Sequence, residues 1–187
     1  WIRLLAPFVP YTTEKLWQEC GGTGMVAFAP WPTADDTKVQ PHLETREELL
    51  MRTVEDIESI CKLIQITPAS ITLYTAPSWK WDLFRKIASA PDRTQVVKEV
   101  MKDAGMRKRG KAATMAITQI TTLIHRLGPD LVAQLRETPI HEKEFFEASR
   151  EFLRREFGVP VHVIEGGEGM HPKAGGAIPF KPAIVIE

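Results

Sequence analysis

Apolar residues recur along this chain at steps of three and four through most of its length, and nearly alternate in three short stretches. The first rhythm puts apolar side chains on one face of a helix, the second on one face of a strand. Residues 1–20 read as the end of a helix interrupted by Pro7 and Pro10, which Thr12 or Thr13 can restart by capping the free N–H groups of Glu14 to Leu16. Gly21-Gly22 stops it. Residues 23–41 carry three prolines and little periodicity, the mark of a connector. The composition shift sets an expected domain boundary near Thr33, dividing the chain into 1–33 and 34–187.

A long helix is expected over 45–66. Thr45 and Glu48 have capping-box spacing, and Leu50, Val54, Ile57, Cys61 and Ile64 form one stripe. Ser70 to Thr75 is β-branched and aromatic and reads as a strand closed by Pro77. Ser78 would cap a helix over 79–89. Val96, Val97, Val100 and Met101 suggest a short second helix, and Ala113, Ala116, Ile117, Ile120, Leu123, Ile124 and Leu127 line a third that ends at Gly128-Pro129. Leu131 to Leu135 adds a turn. Glu142 to Phe157 is amphipathic, with Phe145, Phe152 and Leu153 expected inward, a Glu151–Arg155 pair outward and Gly158 as its stop. Val159 to Ile164 and Lys181 to Ile186 read as strands joined by a hairpin-like glycine-rich loop, residues 165–176. The fold class is therefore α+β: a small mixed sheet covered by helices, preceded by a helical remnant.

The 187 residues, 43% hydrophobic and 26% charged, have the balance of a folded globular chain. The apolar runs are too short for a bilayer-spanning helix, so no membrane partner is expected. The start lacks an initiator Met and signal-peptide features, and a helix that begins without a cap suggests a piece of a longer chain. Leu4, Leu5, Phe8 and Trp17 would then expose an apolar patch. Cys20 and Cys61 suit buried thiols in a reducing cytoplasm. The five histidines show no ligand spacing, so neither a metal site nor a cofactor is expected.

Net charge is zero, yet the signs segregate. Residues 42–60 hold six acids against two arginines, and residues 98–111 hold six bases against two acids. The dense run Arg107, Lys108, Arg109 and Lys111 fits either a solvated helix start or a contact with phosphates. Trp79-Lys80-Trp81 offers aromatic faces for a base beside a cation, although Trp81, Phe84 and Ala88 share a face suited to core packing. The glycine loop is followed by a strand rather than a helix, which argues against a phosphate cradle. No nucleophile elbow or comparable signature frames the serines and histidines, so no catalytic site is expected.

The C-terminal strand is the most specific candidate. Pro182 lacks an N–H and belongs at an edge or strand start. Alternation separates Pro182, Ile184 and Ile186 from Lys181, Ala183 and Val185. Pro182 or Ile184 could give an unstacked base an apolar platform, with Glu187 and its terminal carboxylate as acceptors beside Lys181. Equally, Ile184 and Ile186 could simply pack against the 142–157 helix, Ile186 the more so.

Leu4-Leu5-Ala6-Pro7-Phe8-Val9-Pro10, Glu14-Lys15-Leu16-Trp17 and Ala29-Pro30-Trp31-Pro32 resemble, in order and spacing, the anticodon-binding helical bundle of the valyl, isoleucyl and leucyl branch of class I aminoacyl-tRNA synthetases. Tyr74-Thr75-Ala76-Pro77-Ser78-Trp79-Lys80-Trp81, Val100-Met101-Lys102-Asp103 with Met106-Arg107-Lys108, and the terminal Lys181-Pro182-Ala183-Ile184-Val185-Ile186-Glu187 are similar to archaeal leucyl-tRNA synthetases in particular. Residues 114–139 and the glycine loop depart from the pattern. The resemblance implies that residues 1–33 end an anticodon-binding bundle and that 34–187 form a C-terminal tRNA-binding domain. It implies tRNA-Leu as partner, held at the elbow and long variable arm, together with the rest of a parent synthetase, and no DNA. ATP and Mg would serve a catalytic domain whose HIGH-type and KMSKS-type motifs this chain lacks, and the setting would be cytoplasmic. The alternatives are the matching region of a valyl or isoleucyl enzyme, disfavoured by the Trp79-Lys80-Trp81 context, and a stand-alone RNA-binding adaptor, which should begin with its own Met.

Overall fold

The structure is a computed structural model that describes residues 1–90, 100, 102, 104–167 and 171–187. Of the expected short helix at Val96–Met101, only Val100 lies within the described residues, and it is buried. The chain divides into two compact units, Trp1–Gln40 and Pro41–Glu187.

In the first unit, α1 (Ile2–Leu5) precedes α2 (Pro10–Glu19). The second helix starts at Pro10 rather than at a threonine cap, because proline's fixed φ suits the first helical position and its missing N–H would be unpaired there anyway. Thr13 instead turns its hydroxyl back to the carbonyls of Val9 and Pro10, at 2.9 and 3.0 Å. Gly21, at φ 80°, closes the helix as expected: its N–H reaches the Gln18 carbonyl and that of Gly22 reaches Trp17. The following connector is tied down. Glu14 accepts from the Val26 N–H at 2.8 Å, and Arg3 donates to the Pro30 carbonyl at 2.9 Å. Leu4, Leu5 and Phe8 are exposed, whereas Trp17 is half-buried, its indole lying over Gly22.

The second unit opens with α3 (Pro41–Ile64), four residues earlier than its periodicity predicts, again with proline leading. Thr45 is thus inside the helix and forms no capping box. Its buried hydroxyl lies 3.1 Å from the Pro41 carbonyl oxygen and 2.7 Å from Gln134 Oε1. Leu49, Leu50, Val54 and Ile57 are buried, but the predicted stripe emerges beyond them, leaving Leu63 and Ile64 exposed. Strand β1 (Ile71–Thr75) leads to α4 (Ser78–Ser89), whose N-cap is Pro77 rather than Ser78. Helices α5 (Ala104–Arg109), α6 (Lys111–Arg126), α7 (Pro129–Glu137) and α8 (Glu142–Phe157) follow, then β2 (Val161–Glu165) and β3 (Ala183–Ile186). The turn expected at 131–135 is a full helix led by Pro129. Helix α8 ends at Gly158 in the left-handed region, and it buries Phe146 and Leu153 while Phe152 is exposed.

The sheet order is β2-β1-β3, with β1 parallel to β2 and antiparallel to β3. The last two strands therefore flank the first and do not form a hairpin. Leu73 sits between Val163 and Ile184 on the face turned to the main core, which the helices supply. Tyr74 sits between Ile164 and Ala183 on the other face, covered by Ala174 and Ala177 of the returning glycine-rich segment. This cover is why that segment cannot be a simple hairpin turn. Ala174 and Ala177 of its described part pack with Tyr74 and Val185 on that face.

Candidate nucleic-acid interface

The basic run spans two helices. Gly110, at φ 47°, breaks the helix between α5 and α6 in a conformation that side chains resist. Arg107, Lys108 and Lys111 are exposed on either side of the break. Arg109 is half-buried, its guanidinium 4.7 Å from the centroid of the Trp79 ring. Lys80 Nζ lies 5.5 Å from the same ring. Lys80 itself is buried, donating to the carbonyls of Gly175 and Ala177 at 2.7 and 2.6 Å. Of the two tryptophans read from the sequence, Trp81 belongs to the core, whereas Trp79 is half-buried, packed against that core beside Arg109.

Between Trp79, helix α6 and that segment lies a cavity of about 440 Å³. Met115 and Ala116 contribute apolar wall, and Gln119 brings an amide. Gly166 and Gly167 bound it at the carboxyl ends of the parallel strands, a place where open α/β sheets commonly receive ligands. Gly166 is wedged there, its N–H bonded to the Thr75 carbonyl at 2.8 Å. His171 stacks on Tyr74 with ring centroids 5.9 Å apart.

Of the C-terminal candidates, Lys181, Pro182 and Ile184 lie along a second concavity, and Glu187 does not line it. Lys181 and Glu187 are exposed, while Pro182 and Ile184 are buried. Ile184 joins the main core and Ile186 packs less deeply, the reverse of the expected ranking. Pro182, Ile184, Ile60 and Leu63 line a groove of about 390 Å³ between α3 and β3. The two concavities are linked by a third of about 640 Å³: Gln119 and Gly176 also line the first, and Gly176 and Lys181 also line the second. The terminal residue is anchored, since the Glu187 N–H reaches the Ser70 carbonyl at 3.1 Å and its carbonyl accepts from Ser70 at 3.0 Å.

Glu142 holds the approach to β3. Its carboxylate accepts from the Ala76 N–H at 2.9 Å and the Phe180 N–H at 2.6 Å. Phe180 has a positive φ of 61°, a strained conformation for a bulky residue, so the bond fixes the turn into β3. Burial pushes the Glu142 pKa up to about 7, against the two N–H donors that favour its charged form.

Sequence reasoning picked out the basic run and the C-terminal strand but passed over Lys80 as a structural cation, Gln119, Lys173 and Glu142. One signal existed for the cavity wall. Ala112, Met115 and Gln119 repeat at helical spacing beside the core stripe of α6 to which Ala116 belongs, and Met115 is apolar yet exposed. Glu142, in an ordinary acidic first turn, carried none.

Residues 1–73, which include α1 to α3 and the start of β1, match the family described as the anticodon-binding domain of tRNA ligase. The whole chain aligns with leucine–tRNA ligases: 33% identity over 188 residues with that of Pyrococcus abyssi, 35% over 189 with that of Methanothermobacter thermautotrophicus and 34% over 188 with that of Methanocaldococcus jannaschii. Each alignment covers 100% of this chain and 18–19% of the relative, so the chain spans about a fifth of the length of the relatives it matches.

Proposed function

From a chain whose residues 1–73 carry the anticodon-binding domain of tRNA ligases and whose full length aligns with archaeal leucine–tRNA ligases, we propose that it is the tRNA-binding region of a leucyl-tRNA synthetase. Its contribution is to hold tRNA-Leu while the ligation of leucine, with ATP and Mg, proceeds elsewhere in a cytoplasmic parent enzyme. The observation that carries this reading is the full-length alignment with ligases for one amino acid. The exposed cations Arg107, Lys108 and Lys111 support it, because phosphate contacts supply most of the affinity of such a surface.

The finer part of the proposal concerns the long variable arm and the elbow of tRNA-Leu. Sequence-specific RNA recognition favours unpaired bases at tips and ends. Lys181, exposed at the edge of the groove, and the anchored C-terminus with Glu187 exposed at the other end of β3 support such a contact. Because Pro182 and Ile184 are buried, the base would rest along the groove and not on an open platform. Hydroxyl-radical footprinting of a tRNA-Leu transcript bound to the chain tests this. Protection of the variable-arm tip and elbow is expected, and protection confined to the acceptor end would refute it.

A further inference from the structure

We propose that the cavity beside Trp79 receives one unstacked nucleobase of the bound tRNA. This goes beyond phosphate contact by the basic run and rests on the tRNA-binding reading. The walls call for a flat, largely apolar occupant: Trp79, Met115 and Ala116 are apolar, and among the described residues the charged side chains that line the space are Lys80 and Lys173. The occupant also needs a polar edge, since the Gln119 amide offers both a donor and an acceptor there. A volume of about 440 Å³ is within the range of small-ligand sites and accommodates a nucleotide.

Charge selects among flat occupants. Lys173 lines the cavity, Arg109 stacks on the Trp79 ring, and Lys108 and Lys111 adjoin Arg109 in sequence on the exposed side. A base tethered to a phosphate backbone satisfies both demands at once, the base against the ring and its phosphates against the cations. Buried Lys80 has a separate task. By binding the carbonyls of Gly175 and Ala177 it holds the glycine-rich wall against α4, so the cavity is preformed. The connected concavity toward Lys181 carries both signs, with Arg52 and Arg126 beside Glu55 and Asp56.

The test uses the 187-residue chain, a tRNA-Leu transcript and filter binding over a range of salt. Ala112→Phe projects a ring into the cavity and Trp79→Ala removes the platform; each should weaken binding about tenfold, as loss of one base–aromatic stack does, with the salt slope unchanged. Trp79→Phe should restore most of the affinity. The double variant Lys108→Ala/Lys111→Ala should instead flatten the salt slope. On the wild-type chain, photo-crosslinking with a 4-thiouridine transcript should label the tryptic peptide 112–126, which needs no folded variant. Wild-type affinity in Ala112→Phe and Trp79→Ala, with affinity lost in the lysine variant, would overturn the base pocket and leave the tRNA reading standing. Crosslinks that avoid peptide 112–126 would also overturn it. No binding of the transcript by the wild-type chain would refute the tRNA reading itself.

Discussion

The guanidinium of Arg109 stacks 4.7 Å from the centroid of the Trp79 ring, so one cation of the basic run is anchored to the domain while Arg107, Lys108 and Lys111 face solvent. This arrangement separates two roles that the sequence presents as a single charge cluster. The anchored cation packs on Trp79, and the exposed ones are the proposed phosphate contacts.

Replacing Arg107, Lys108 and Lys111 together with Ala should therefore flatten the dependence of log K on log salt by about two to three units, close to one per phosphate contact. The loss should be similar for any tRNA. A slope equal to that of the wild type would mean that these side chains only solvate the end of α5 and the start of α6.

Glu142 gives the domain a pH dependence whose sign follows from its burial. The folded state keeps the proton up to about pH 7, whereas the unfolded chain releases it near the ordinary glutamate value of 4.5. Between those values the native state binds more protons, so this group's contribution to stability is full below about pH 4.5 and declines as pH rises toward 7. Glu142→Ala should remove that decline and, by stranding the N–H groups of Ala76 and Phe180, cost about 2–4 kcal/mol. Urea unfolding of both proteins between pH 4 and 8 reads both effects. An identical slope in the variant would rule out Glu142 as its source.

Two glycines of one segment should respond oppositely to the same change. A Cβ on Gly166 would lie 2.8 Å from the Thr75 carbonyl oxygen and 3.1 Å from that of Ala174, both backbone atoms that cannot swing away. Gly166→Ala should cost about 1–3 kcal/mol, the usual penalty of overpacking. Gly175 has open space and an ordinary φ, so Gly175→Ala should be close to neutral. Equal midpoints in denaturant for the two variants would contradict the tight join between the glycine segment and β1.

Much of the fold is legible in the sequence because helical periodicity and glycine stops are local. The stripe of α6 and the Gly158 stop of α8 stand where the pattern puts them. Helix starts are less legible, since Pro10 and Pro41 lead helices that threonines were expected to cap. The adjacent phenylalanines of α8 repeat at seven residues on neighbouring stripes, so only tertiary packing decides that Phe146 goes inside and Phe152 out. Strand order is the least local feature. Val163 and Ile184 meet opposite sides of Leu73, Ile184 across more than a hundred intervening residues and Val163 across nearly ninety. Within the candidate interface, the basic run announced itself, but the burial of Lys80 could not be read from a segment that looks like a surface Trp-Lys-Trp motif.

The proposed grip on tRNA-Leu extends to features beyond the common tRNA body. The most direct measurement is the Kd of the 187-residue chain for a tRNA-Leu transcript and for the same transcript with its variable arm deleted, at fixed salt. The account predicts weaker binding of the deleted form by at least about tenfold, the worth of one lost base contact. Equal affinity for the two transcripts would contradict it.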